Sequence, residues 1–163
     1  MKLTDQQLLD NWAELQEIIS TEFSGTRKDN LLAMYSFFEE IMVIAPASGL
    51  EHYHNCFEGG YVDHVLRVIK CAKELHKSWN LMGAISSDFT EEELMFSALN
   101  HDLGKIGDRE FPYYIPNPSE WHRKNQGKIY DYHPKLRHMT VPDRSLFLLQ
   151  DFGISFTVNE AIA

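Results

Sequence analysis

The sequence is poor in cysteine, in basic residues and in long apolar runs, and each shortage closes off a class of protein. Only Cys56 and Cys71 occur in 163 residues. They are not spaced as a metal-finger pair, and two thiols do not make the disulfide framework of a small secreted domain. The expectation is a reducing, cytoplasmic setting. Lys and Arg total 15 against 24 Asp and Glu, a formal net charge of -9 with no basic run, so a broad face for duplex nucleic acid is not expected. No stretch approaches the roughly 18 apolar residues of a membrane span. The opening "MKLTDQQLLDNWAELQEII" reads as an acidic amphipathic helix and not as a signal peptide. Neither duplex nucleic acid nor a membrane is therefore an expected partner. Proline is scarce outside one segment, since five of the six lie between Arg109 and Pro142.

What is present suits one domain over residues 1–163, because 44% hydrophobic residues in this length can build a sizeable core. Leu8, Leu9, Trp12, Leu15, Ile18 and Ile19 recur at helical spacing behind a capping Thr4, which predicts a first helix to about Thr21. "SGTRKDN" is expected to break it, and "NLLAMYSFFEEIMVIA" predicts a second, deeply buried helix closed by Pro46. A third is predicted from about Gly60 to Trp79. Two apolar stripes, one through Val62, Leu66, Ile69 and Ala72 and one through His64, Val68, Cys71 and Leu75, make it central. The fourth opens at "TEEE", with Thr90 and Glu93 as a capping box, and Gly104 is its natural stop. From Arg109 to Pro142 the helical period is lost, which predicts a functional lid or a small structure of its own. Within it "WHRKNQGKIYDYH" suggests a β-hairpin turning near Gln126-Gly127. Helical patterning returns in "DRSLFLLQDFG" and restarts in "TVNEAIA". There is no internal repeat.

The chemistry-bearing residues gather around "ALNHDLGKIGD". If the fourth helix ends near Gly104, His101 and Asp102 lie in its last turn, where unsatisfied carbonyls favour a cation. Helix neighbours point about 100° apart, so the pair cannot enclose an ion alone and a third ligand must come from another element. His64, on the third helix 37 positions earlier, is the best candidate. Taken singly it also reads as a core histidine with satisfied ring nitrogens.

Together these residues resemble the HD-domain superfamily of metal-dependent phosphohydrolases. That family places a histidine on one helix, a His-Asp pair on a following helix and an aspartate on a later one. "HDLGKIGD" is similar to the family's His-Asp-Ile-Gly-Lys form. "PASGLEHYHNCFEGGYVDHVLRV" resembles the approach to its first ligand helix, with Gly59-Gly60 opening the helix and His54 ten residues before His64. The resemblance spans about residues 45–163 and makes residues 1–44 accessory helices. It implies an all-α HD-type bundle of five to seven helices, with a small irregular or β-hairpin insertion after the His-Asp pair. It also implies a divalent ion on His64, His101 and Asp102 that activates water against a phosphate ester of a nucleotide. The bond stays open between phosphomonoester (nucleotidase), triphosphate (dNTPase) and cyclic phosphodiester. Imidazole with carboxylate suits Mn, Fe, Co, Ni or Zn, and Mg less well. The opposing expectation is a non-catalytic HD module that binds a nucleotide or a partner protein.

Other residues take roles by position. Lys105 is a candidate phosphate-holding cation, and Asp108 a candidate to orient water or fix Lys105; a solvated helix end is the rival reading of both. The family's last aspartate has no evident counterpart. "FTVNEAIA" resembles the start of the segment that precedes it, so the fourth ligand is expected beyond Ala163, with Asp143 as the in-chain candidate and Asp151 behind it. His133 and His138 read as lid histidines. Tyr113, Tyr114, Trp121, Tyr130 and Tyr132 offer stacking faces, and Arg123, Lys124 and Lys128 candidate phosphate contacts; an aromatic mini-core is the rival.

Overall fold

Thr4 begins the fold as the sequence predicts. Its hydroxyl accepts from the Gln7 N–H while the Gln7 side chain accepts from the Thr4 N–H, a capping box that starts α1 (Asp5–Glu22). The apolar spacing then drives Trp12, Leu15 and Ile19 into the core. The computed structural model describes residues 2–84 and 88–163. In it α2 (Gly25–Phe37) starts inside "SGTRKDN", so that stretch is mostly the first turn of a helix and only Phe23 and Ser24 form the break. The predicted second helix is cut at Phe38, whose N–H donates to Met34 and Tyr35 before α3 (Glu39–Ile44) begins.

α4 (Gly60–Leu81) buries Tyr61, Val62, Val65, Leu66 and Ile69 in its first three turns. The second stripe expected on it is not core: Val68 is half-buried, and Cys71 and Leu75 are exposed. The helix is central only over its N-terminal half. α5 (Glu91–Asn100) has the Thr90–Glu93 capping box read from the sequence. It ends before Gly104, and a separate 3-10 turn, Leu103–Ile106, follows. α4 packs against α5, and α1 against both α2 and α4. The side chains from α1 to α3 share one hydrophobic cluster with those of α4 and α5, so the core is continuous across residue 45.

The proline-rich segment forms a two-stranded antiparallel sheet, but not the predicted hairpin. β1 (Tyr114–Pro116) pairs with β2 (Tyr130–Tyr132) in the register Tyr114 to Tyr132, and α6 (Glu120–Gln126) lies between them. Gly127 is the left-handed C-cap of α6 and not a hairpin turn. Ser119 explains why a helix wins there: its hydroxyl accepts from His122 and supplies the N-cap. α7 (Val141–Asp151) and α8 (Val158–Ile162) complete eight α-helices among the described residues, more than the five to seven expected, because Phe38 splits one helix and α6 adds another. α7 packs on the 3-10 turn. Gly104 makes that possible, since a Cβ there would stand 2.2 Å from the Val141 carbonyl. No helix among the described residues is long and apolar enough to cross a membrane.

Candidate metal centre

The packing of α4 on α5 brings His64, in the second turn of α4, beside His101 at the C-cap of α5. His64 Nε2 lies 3.0 Å from His101 Nε2 and 3.3 Å from Asp102 Oδ2, and His101 Nε2 lies 3.4 Å from the same oxygen. Atoms bound about 2.1 Å from a common ion stand roughly 3.0 to 3.4 Å apart at octahedral or tetrahedral angles. The three atoms therefore fit the ligand shell of one divalent cation. Their chemistry fits as well. His101 Nδ1 lies 2.9 Å from the Ala98 carbonyl, which as the acceptor fixes the proton on Nδ1 and turns the Nε2 lone pair inward.

His54 belongs to the same place. One ligand atom each from His54, His64 and Asp102 fall within 4.8 Å of one another, and the His54 and His64 rings are 4.5 Å apart. His54 is carried by the loop before α4, which is locked on both sides. Its carbonyl accepts from Ser48, and the next residue, Asn55, donates its side-chain amide to the Gly60 carbonyl and to Asp63. Asn55 takes a left-handed φ of 51°, and its carbonyl sits where a Cβ on Gly60 would be only 2.1 Å away. That contact is the physical reason for glycine in "EGGYVDH". Burial lowers the His54 pKa, helped by the charge of His64 and Lys105, so its imidazole stays neutral and available as a ligand near pH 7. Reasoning from the sequence placed His54 in the family-like stretch without making it a ligand; the spacing of two histidines across a glycine pair was the available signal.

Lys105 closes the arrangement, with Nζ 2.7 Å from Asp102 Oδ2. Burial alone would raise the Asp102 pKa, but its contacts with His101, His64 and Lys105 outweigh it and hold the carboxyl well below the usual carboxylate range. Burial would likewise lower the His101 pKa, yet its contact with Asp102 raises it. A proton and a metal ion thus compete for the same imidazole.

The other expected site residues lie elsewhere. Asp143 is exposed at the start of α7, where its carboxylate accepts from the Thr140 hydroxyl. Asp151 pairs with Arg109. Among the described residues the ligating group contains neither. Asp108 accepts from the Glu110 and Phe111 N–H groups and closes a turn, while Lys105 is fixed by Asp102 instead. Arg123 donates to the Asn117 carbonyl, Lys124 pairs with Glu120 and Lys128 with Asp131, so all three serve the insertion. His133 stacks on Phe111 and His138 is exposed. Of the aromatics, Tyr113, Tyr114 and Tyr130 line a cavity that Lys105 also borders; Trp121 and Tyr132 face solvent. No protein-family model, curated protein or solved structure matches this chain.

Proposed function

We propose that the protein is an HD-type, metal-dependent phosphohydrolase acting on a phosphate ester of a nucleotide. The observation that carries this reading is the convergence of His64 Nε2, His101 Nε2 and Asp102 Oδ2 within 3.0 to 3.4 Å, with a lysine on the shared carboxylate. His64, His101 and Asp102 would hold the ion, with His54 on the exposed side as a further ligand. A bound divalent cation supplies a water acidified toward neutral pH and an electrophile for a phosphoryl oxygen.

The chain's own residues do the rest. Ala98 orients His101 through Nδ1. Its contacts hold the Asp102 carboxyl well below the usual carboxylate range, so its charge is available to a cation. Lys105, bonded to Asp102 and bordering a cavity, would meet a phosphate oxygen as a point charge. The test is phosphate release or nucleotide conversion, with products identified, from nucleoside mono- and triphosphates and cyclic nucleotides in Mn²⁺, run beside Asp102→Ala. Turnover lost in the variant supports the reading; none with any divalent metal sinks it.

A non-catalytic nucleotide- or protein-binding module is the second reading. It is favoured by Asp102 being the one carboxylate in the ligating group among the described residues. Nucleotide binding without turnover would select it.

A further inference from the structure

The loop that carries His54 is closed on itself. The Ala47 N–H donates to the Asn55 carbonyl at 3.1 Å, the Ser48 hydroxyl to the His54 carbonyl at 2.9 Å and the Tyr53 N–H to the Leu50 carbonyl at 3.0 Å. A short segment tied across in this way shifts as one body, because bending it internally breaks hydrogen bonds that its own groups satisfy.

Its far side holds the insertion. The Gly49 carbonyl accepts from both the Ile129 and the Tyr130 N–H, at 3.0 and 3.1 Å, and the Glu51 N–H donates to the Gly127 carbonyl at 2.7 Å. The contact is tight as well as bonded. A Cβ on Gly49 would stand 3.1 Å from the Tyr130 carbonyl oxygen and 3.2 Å from the Tyr114 ring, so there is little room to absorb a displacement. Residues 47–55 thus offer an imidazole to the metal centre at one end and backbone partners to the insertion at the other. His64 and His101 are set by α4 and α5, whereas His54 is exposed on this loop with its ring 4.5 Å from that of His64. Of these histidines it is the one whose position gains most from a bond to an ion. The first strand of the insertion is attached independently of His54, through the Tyr113 N–H on the Ile106 carbonyl at 3.2 Å.

We propose that His54, as a ligand, couples occupancy of the metal centre to the seating of the insertion through residues 47–55. The tyrosine wall of the cavity beside Lys105 is then held firmly only when the centre is loaded. This rests on the reading above that the centre holds a divalent ion, and not on hydrolysis or on a substrate. Coupling of this kind is reciprocal, so a change that pushes the insertion off Gly49 weakens the hold on the ion.

The test is hydrogen exchange by mass spectrometry on the full chain, with and without Zn²⁺, beside His54→Ala, each protein saturated as judged by calorimetry. In the unaltered protein Zn²⁺ should slow exchange in the peptides containing Glu51, Ile129 and Tyr130 about tenfold, within the roughly 5- to 150-fold usual for coupled sites. In saturated His54→Ala that slowing should vanish while the amides around His64 and His101 remain protected, which separates coupling from a general gain in stability on binding. Gly49→Ala approaches from the other end: every ligand stays in place, and Gly49 is not among the glycines of positive φ, so the backbone accepts alanine. Its Zn²⁺ affinity should fall at least about fivefold. Equal slowing in His54→Ala, or an unchanged affinity in Gly49→Ala, overturns the proposal. Zn²⁺ bound by the unaltered protein without slowing at these peptides also overturns it and leaves the metal centre standing. Failure of the unaltered protein to bind Zn²⁺ removes the metal centre and the coupling together.

Discussion

Replacing Gly104 by alanine tests the packing on which the site's floor depends. Gly104 is buried and its N–H donates to the Ser145 hydroxyl at 2.8 Å. An added Cβ would stand 2.2 Å from the Val141 carbonyl oxygen, 3.0 Å from the carbonyl carbon and 3.1 Å from Arg144 Cβ. Real Cβ atoms do not approach within 3.0 Å, so the first turn of α7 must retreat by about 0.8 Å. The obstacle is backbone, which cannot swing away as a side-chain end can. Overpacking of this kind costs about 1 to 3 kcal/mol, and a rigid backbone obstacle places Gly104→Ala at the top of that range, about 3 kcal/mol. With a urea slope of about 2 kcal/mol per molar, the unfolding midpoint should fall by roughly 1.5 M. Gly83→Ala is the control. Gly83 has a φ of 73° with nothing within 4 Å of an added Cβ, so it incurs only the left-handed backbone penalty of about 1 to 2 kcal/mol. A Gly104→Ala midpoint within about 0.3 M of the unaltered protein, or a loss no larger than that of Gly83→Ala, would refute the reasoning.

Excess Mn²⁺ or Zn²⁺, at about a hundred times its dissociation constant, should stabilise the unaltered protein by about 2.7 kcal/mol. That raises the melting temperature by roughly 5 to 10 °C, with no such rise in Asp102→Ala; scanning calorimetry with and without metal decides. Glu93 is bonded by the Thr157 hydroxyl, by the Thr90 N–H and hydroxyl and by Asn159, which lower its pKa from 4.5 to about 2. Its folded pKa lies below the unfolded value, so its contribution is complete above about pH 4.5 and disappears as pH falls toward 2. Urea midpoints for Glu93→Gln should therefore fall less steeply across that window than those of the unaltered protein, and parallel curves would count against it. Tyr35→Phe removes a buried hydroxyl that lies 3.1 Å from the Leu99 carbonyl and 3.2 Å from Asn100 Oδ1. The expected loss is about 1 to 3 kcal/mol by chemical denaturation; an unchanged midpoint would show that those acceptors are satisfied without it.

The helices with strong local signals were legible. Thr4 with Gln7 and Thr90 with Glu93 announce two starts through hydrogen bonds that span three residues, and both form. Phe38 was not legible as a break, because it continues the apolar run while its N–H turns back to Met34 and Tyr35. The second stripe of α4 misled for a related reason: periodicity shows that Leu75 lies on one face, but not whether another element reaches it. In the insertion, Ser119 was a short-range cap hidden among aromatics of high strand propensity. For the site, His64, His101 and Asp102 were readable as residue types able to meet, whereas His54 depends on the Asn55 turn and the Asp143 placement on a cap with Thr140. Which carboxylate faces a site and which caps a helix is decided by tertiary geometry, and both look alike in a sequence.

The metal centre and the cavity rest on different supports. His64, His101, Asp102 and Lys105 sit on the early turns of α4, the end of α5 and the 3-10 turn, all backed by the fully buried Val65, Leu99, Leu103 and Ile106. Rigid, buried elements of this kind hold ligand atoms to fractions of an ångström, as a metal site needs. The cavity's aromatic wall instead belongs to an insertion built from two three-residue strands and a short helix, tied to the main body through Gly49, Gly127 and Leu50. Such a wall can change its side chains at little cost to the core. On the function proposed above, bond-breaking would fall to the buried, well-packed elements and substrate choice to the insertion, so a change of specificity should come from Tyr113 to Tyr130 and a loss of chemistry from His64 to Lys105.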